Sequence, residues 1–361
     1  MARRTRRRQL RWRWDSSTLC VGCLLVLLAV RPLAAGESPP AQESPSVPAP
    51  PTIKADETGA GFDFQTDEIE GTIRLDGAYH GVTRLVERRT GRQVIDSRYS
   101  ALNLFKLMSV NLAMGQPRIM PRTIETGGSW GQARWAATDS HRAEVVARYE
   151  IRPPNAIDLS VTVKSLGTYA GYELFLSNYF DKALRPHVYL QPARGKPAAG
   201  EAERILPMIS DAFRGTVLVF PRDAHAARRC VDGRWDRSEQ DTPTVPMCPV
   251  RRYAHCLAVM ADPDNSLGVV LMSRPPDCYA VSTRYHADAD EDRLTTYSAF
   301  DLSLFGDDLL PGDERTVKVR LAVVPLDADW QTPLRLYRAF LDEQVADPVP
   351  IPTNRLQETP R

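Results

Sequence analysis

The chain has 361 residues, and its 46 Lys and Arg almost cancel its 45 Asp and Glu, for a formal net charge of +1. That balance, with no basic stripe interleaved with aromatics, argues against nucleic acid as a partner and against an anionic membrane surface. The length suits two average domains or one large β-sandwich.

The chain opens on a basic run, Met1 to Arg13, carrying Arg3, Arg4, Arg6, Arg7, Arg8, Arg11 and Arg13. An apolar stretch, Leu19 to Val30, and the small-residue segment Leu33-Ala34-Ala35-Gly36 follow. This order predicts a secretory signal peptide over 1–36, cut after Gly36. The apolar stretch is shorter than the ~20 residues of a bilayer span, so no stable transmembrane segment is predicted. The alternative is a short signal anchor that stays attached. The expected destination is the periplasm or the extracellular space. Arg7-Arg8-Gln9-Leu10 allows a twin-arginine route. Cys23 has the look of a lipoprotein cysteine, although most of the apolar stretch lies beyond it.

Residues 37–61 open on Pro, Ser, Ala and Glu without apolar periodicity, which predicts a disordered spacer. From 62 to 347 a single domain is expected, dominated by period-two alternation. Ile73 and Leu75, Val82 to Val86, then Val94 and Ile95 read as a meander with a hairpin turn at Thr90-Gly91. Val145, Ala147, Tyr149 and Ile151 alternate with polar residues, as do Ile157, Leu159, Val161 and Val163 after a Pro153-Pro154-Asn155 turn. Ser298, Phe300, Leu302 and Leu304 form another set, and Val317, Val319, Leu321 and Val323 the last. The fold class predicted is all-β, a large antiparallel β-supersandwich.

Helix is scarce. Ala101 to Met108 reads as a short helix, although its apolar residues are too dense to decide. The clearest helix spans 333–346, with Thr332 as cap and Pro333 in the first helical position. Trp330, Leu334, Tyr337, Leu341 and Val345 fall on one face, a stripe that would pack on the sandwich. Pro348 and Pro350 end it, and 348–361 reads as a flexible tail.

Of six cysteines, Cys20 and Cys23 leave with the leader. The other four suggest two disulfides with three possible pairings, and Cys230 with Cys248 would staple the loop between them. Equally, Cys256 and Cys278 read as buried thiols on strands.

No serine-hydrolase elbow, zinc-protease motif or glycine-rich phosphate loop is present. The richest segment is Leu174 to Leu190, with Tyr179, Asp181, Arg185, His187 and Tyr189. A carboxylate, a guanidinium, an imidazole and aromatic faces are the mixture that sugar recognition requires. The plain alternative is a strand and turn with Asp181 paired to Arg185. Tyr79-His80-Gly81 offers His80, with Gly81 permitting close backbone approach. Asn111, Gln116 and Arg118 interrupt an apolar run, so they are either satisfied internally or line a cleft. Trp235 lies in a long aperiodic loop where it would stack on a sugar or cover an apolar edge, and Arg284-Tyr285-His286 sits at a strand end. The acidic sets Asp288, Asp290, Asp292 and Asp262-Pro263-Asp264-Asn265 lack the glycine and terminal glutamate of a calcium loop and read as hairpin tips. No metal and no cofactor is expected.

Leu176-Ser177-Asn178-Tyr179-Phe180-Asp181 is similar to the His-x-Tyr-Phe-Asn strand of the galactose mutarotase-like superfamily, and Arg118 resembles its sugar-binding arginine. The resemblance implies a β-supersandwich over Phe62 to Leu326, as in sugar epimerases and polysaccharide lyases. Ser177 stands where the family carries a catalytic histidine, so mutarotase activity is not implied. Three functions follow: an exported carbohydrate-binding protein, a polysaccharide lyase or epimerase of the same architecture, or a structural or protein-interaction module of the cell envelope. In the lyase reading, Arg118 or Asn111 would neutralise a uronate carboxylate, while His80, His187 or Tyr179 would take the proton.

Overall fold

Alternation of apolar and polar residues builds three sheets, and a computed structural model describes them over residues 48–109, 112–193, 202–209, 216–229, 245–247, 251–285 and 297–346. The leader, residues 37–47 of the expected spacer and the tail lie outside the described residues. So do Asn111, Cys230, Trp235, Cys248 and the Asp288-Asp290-Asp292 set. The rest of that spacer is described, and Thr52–Ala55 and Gly61 within it belong to strands rather than to a disordered linker.

The first sheet is a five-stranded antiparallel meander in sequence order: β1 (Thr52–Ala55), β2 (Gly61–Gln65), β3 (Ile69–Arg74), β4 (Gly81–Glu87) and β5 (Arg92–Gln93). Gly91, at φ 70°, makes the expected turn between the last two. β6 (Asn103–Ser109) and β7 (Leu112–Gly115) open a second sheet, and β8 (Thr123–Thr126), β9 (Trp130–Trp135), β10 (Ala143–Arg152) and β11 (Ala156–Ser165) a third. The chain then passes repeatedly between these two sheets. β12 (Glu173–Ser177) and β13 (Tyr179–Asp181) belong to the second, β14 (Arg185–Leu190) and β15 (Glu203–Ile205) to the third. β16 (Thr216–Pro221), the short α1 (Ala224–Arg229) and β17 (Val245–Met247) lead on to β18 (Tyr253–Ala261) and β19 (Leu267–Ser273). β20 (Cys278–Arg284), β21 (Tyr297–Phe305), β22 (Glu314–Pro325) and α2 (Gln331–Ala346) complete the chain.

The second sheet runs β17-β16-β20-β21-β12-β6-β7, with β13 beside β21, and the third β15-β14-β18-β19-β22-β11-β10-β9-β8. Every pairing is antiparallel except β16 with β17. Their facing sides share one core, in which Tyr149, Ile157 and Val319 of the third sheet pack with Leu174, Leu176, Phe300 and Leu302 of the second. Phe62, Phe64, Ile69 and Leu85 of the first sheet join the same core. Each such fully buried side chain stabilises the fold by roughly 1.5–3 kcal/mol.

The outer face of the third sheet is also covered, because α2 lays Tyr337 and Phe340 on Leu257, Val259, Val270 and Met272. β19 is therefore buried at every position, and its sequence is a near-continuous apolar run rather than an alternating one. Among the described residues, the outer face of the second sheet is covered at one end, where Ala226 of α1 meets Val217, Val219 and Tyr279. The rest of that face is where a cleft opens.

Two local expectations change. Residues 103–109 form strand β6, not a helix; their apolar density reflects burial on both sides, with Leu104 and Leu107 in the core and even Lys106 8% exposed. The final helix begins at Gln331, and its cap is the Asp327 carboxylate, which accepts the Thr332 N–H at 2.9 Å. Of the expected stripe, Val345 is 78% exposed, and Phe340 takes up the packing. Cys256 and Cys278 are buried free thiols.

Candidate functional site

The outer face of the second sheet collects the residues that alternate with its core-facing set. On β21 the core residues Phe300 and Leu302 leave Tyr297, Ala299 and Asp301 on the other side. β20 adds Arg284, β12 adds Phe175 and β13 adds Tyr179. The pairing of β12 with β6 slips between Phe175 and Leu176, and the Phe105 and Phe175 rings meet edge-on at 6.2 Å. With Tyr79, Tyr99, Arg118 and Val217 these residues line a cleft of about 230 Å³.

Four tyrosines form its aromatic wall. Tyr179 lies 4.8 Å from Tyr297 and 5.0 Å from Tyr99 between ring centroids, and Tyr79 lies 4.9 Å from Tyr99. Burial, reinforced by the neighbouring Tyr297, holds the Tyr179 hydroxyl far above its ordinary pKa, so it enters as a neutral donor and acceptor.

Two guanidinium groups face this wall. Arg118 stacks 4.3 Å over Phe105 and donates from Nε to Gln116 Oε1 at 3.1 Å. Its loop is held from behind: Arg122 donates to the Arg118 and Leu75 carbonyls, and Trp135 Nε1 donates to the Pro117 carbonyl at 2.9 Å. Arg284 donates from Nη1 to the Tyr297 hydroxyl at 3.4 Å, and its buried Nε has no hydrogen-bond partner among the described residues.

Asp301 is the floor, 6% exposed. Burial pushes its carboxyl from 3.8 up to about 7, against the pull of the Asn178 N–H and the Arg284 charge. The Asn178 N–H reaches Oδ1 at 2.9 Å. Across the ladder Ser282 pairs with Asp301, and its buried Oγ has no partner among the described residues. The cleft thus presents a proton-carrying carboxyl, two cations, unspent hydroxyl capacity and flat apolar faces, which together can bind a polyhydroxylated ligand and exchange a proton with it.

The structure brings Arg118 and Tyr179 together, and places His80, Asp181 and His187 outside the cleft lining. His80 is fully buried behind the cleft: its Nε2 accepts the Leu104 N–H at 3.1 Å, its ring packs on Trp135, and burial lowers its pKa to about 3. It fixes the start of β6 and has no path to a ligand. The Asp181 carboxylate accepts the Ala183 N–H at 2.9 Å and lies outside the cleft lining; it turns the chain instead of pairing with Arg185. His187 is on the third sheet, 4.5 Å from Trp330, because the chain crosses between sheets after Asp181. The proximity expected within Leu174 to Leu190 therefore does not hold. Ser177, 1% exposed, donates to Asn103 Oδ1 at 3.4 Å.

The Asp262 turn is a hairpin tip whose carboxylate accepts the Ser266 and Leu267 N–H groups. Among the described residues no three His, Cys, Asp or Glu side chains are grouped to hold a metal. No helix among them is long and apolar enough to cross a membrane.

Sequence reasoning passed over Asp301, Tyr297 and Tyr99, and left Arg284 as an undecided strand end. For Asp301 and Tyr297 a signal existed, since both occupy the intervening positions of the Ser298-Phe300-Leu302-Leu304 set. Tyr99 lies in the turn between β5 and β6 and carries no periodic signal.

Fold and site define an all-β sandwich protein with an aromatic, cationic cleft on the outer face of one sheet. No family model matches the chain, and no curated protein does. Among solved structures it is similar to a TPR-domain-containing protein from Parabacteroides distasonis, at 10% identity and a TM-score of 0.40, over 82% of this chain and 50% of that one. The chain thus spans half of that protein's length. It is also similar to a putative aldose 1-epimerase from Escherichia coli K12, at 12% identity and TM-score 0.37, over 77% of this chain and 100% of the other. A third is a mutant of the heparan sulfate lyase HepC from Pedobacter heparinus, at 7% identity and TM-score 0.41, over 76% and 36%. At such scores these neighbours carry no argument about the site.

Proposed function

We propose that the chain is an exported carbohydrate-binding protein whose ligand occupies the cleft between Arg118 and Asp301. The observation that carries this reading is the four-tyrosine wall beside Arg284 Nε at the cleft and Ser282 Oγ at the strand position paired with Asp301, two buried polar atoms without partners among the described residues. Leaving such atoms unpaired costs about 1–3 kcal/mol each, and sugar hydroxyls would satisfy them while the pyranose face lies on a tyrosine. The Pro-rich stretch 37–51 would tether the domain if the leader is retained.

The test is binding of the chain from Glu37 onward to a broad glycan array that includes polyuronates. Binding is expected, with a loss of tenfold or more in Tyr179→Ala and in Arg284→Ala. A blank array, or binding indifferent to both substitutions, sinks the reading.

A second reading, an epimerase or lyase of the same architecture, is favoured by Asp301. A carboxyl poised at about 7 is matched to proton transfer near neutral pH. Turnover of an array hit that disappears in Asp301→Asn, with binding retained, would select this reading over simple recognition.

A further inference from the structure

Two cysteines outside the cleft face each other across the sandwich. Cys256 belongs to β18 of the third sheet and Cys278 to β20 of the second, yet both are 0% exposed and share one core. Tyr253, three residues ahead of Cys256 on β18, reaches the Cys278 carbonyl with its hydroxyl, so the two strands meet at the cysteines. The neighbouring Cys278 adds to the burial that raises the Cys256 thiol. The surroundings are built around the pair: the Cys256 N–H donates to the Tyr337 hydroxyl at 3.3 Å, and Cys278 Sγ donates to the Ala280 carbonyl at 3.1 Å.

We infer that Cys256 and Cys278 are an inter-sheet disulfide site, closed when the chain folds in an oxidising compartment. In the cell this rests on the export part of the proposed function; the chemistry does not. An exchangeable disulfide, such as oxidised glutathione or an oxidoreductase disulfide, is the oxidant. One cysteine loses its proton and attacks that disulfide, releasing one thiolate and leaving a mixed disulfide. The second cysteine, also deprotonated, displaces the remaining thiol. Two protons and two electrons leave the protein, and the oxidant is reduced to two thiols. Exchange has to precede closure of the core, because in the folded chain both sulfurs are buried and burial suppresses the Cys256 thiolate. The same burial then protects the bond from reductants.

The experiment is refolding of the denatured full-length chain with reduced and oxidised glutathione, followed by non-reducing peptide mapping. The expected result is a cross-linked peptide pair containing Cys256 and Cys278, 2 Da lighter than the two thiol peptides together. Recovery of both cysteines as thiols, or a bond from either one to any other cysteine of the chain, overturns the inference. A Cys230→Ala/Cys248→Ala chain should retain a fall in Tm of about 5 °C or more upon reduction during refolding. A Cys256→Ala/Cys278→Ala chain should lack it. Retention of that fall in the second chain would also overturn the inference. Because refolding needs no export, a leader that fails to direct secretion leaves this readout unaffected.

Discussion

The backbone N–H of Asn178 donates to Asp301 Oδ1 at 2.9 Å, while the Asn178 side-chain oxygen accepts the Leu102 N–H at 2.7 Å. One residue therefore joins the cleft floor to the turn that launches β6 and its Phe105. Leu102 sits at φ 55°, a conformation that leucine adopts at a cost. Its carbonyl accepts the Tyr149 hydroxyl at 2.9 Å, so both of its backbone polar groups are tied down. This bridge ties the cleft floor to that turn, in addition to the contacts among the wall's own side chains.

Asp301 should make the protein less stable as pH rises. Its carboxyl keeps a proton up to about 7 when folded, against 3.8 as its reference. Between those values the folded state holds the proton and the unfolded state releases it, so stability falls through that window and stays lowered above it. Asp301→Asn removes the effect and should be more stable than the parent at pH 8 by roughly 2–4 kcal/mol. Urea melts at pH 4.5 and pH 8 would show it; equal pH slopes for the two chains would refute it.

His80 acts in the opposite sense. Its pKa falls from 6.5 to about 3 on folding, so the unfolded chain takes up the proton first as pH drops. The stability it gives is present above 6.5 and is lost on acidification towards 3. His141 and His187, both lowered to about 4 by burial, add to this acid sensitivity. His80→Phe leaves the Leu104 N–H without its acceptor and should cost about 2–4 kcal/mol at pH 7.5. The cost should shrink at pH 5, as paired denaturation curves would reveal.

Gly81 should tolerate no side chain. It adopts φ +102°, and a Cβ there would lie 2.4 Å from the Ala101 carbonyl oxygen. Gly81→Ala is expected to lower stability by about 2 kcal/mol or more through strain and the displaced backbone. Gly77→Ala, with φ +71° and open space around it, provides the comparison and should cost distinctly less by thermal melting.

Arg320 ties α2 to the third sheet. It donates to Asp158 at 2.6 and 2.9 Å and to Glu343 at 3.0 and 2.7 Å. Arg320 is 8% exposed, whereas the Glu343 side chain is 53% exposed. Arg320→Ala should cost about 2–3 kcal/mol, and Glu343→Ala no more than about 1 kcal/mol. Chemical denaturation of both variants checks the asymmetry.

The outline of the fold was legible because most strands bury one face only. Val145 to Ile151 and Ile157 to Val163 were read directly and pair residue for residue from Ala143↔Ser165 to Arg152↔Ala156. Where both faces are buried the period vanishes, which is why 101–108 was open to a helical reading. In the cleft, Arg118 and Tyr179 stood out as polar or aromatic residues in apolar runs. Asp301 was hidden in a strand read for its apolar half, since alternation draws attention to the core face and away from the other. His80 looked exposed in sequence because neither its Leu104 partner nor the Trp135 ring over it is nearby along the chain.

The crossing between Asp181 and Arg185 gives the chain an internal reference. Tyr179 borders the cleft, whereas His187, eight positions later, packs on Trp330 under the final helix. A fluorine label at 179 would report on cleft occupancy, and one at 187 on docking of α2. A signal that moves at 179 and stays fixed at 187 separates local occupancy from a change in the whole sandwich, within one short peptide.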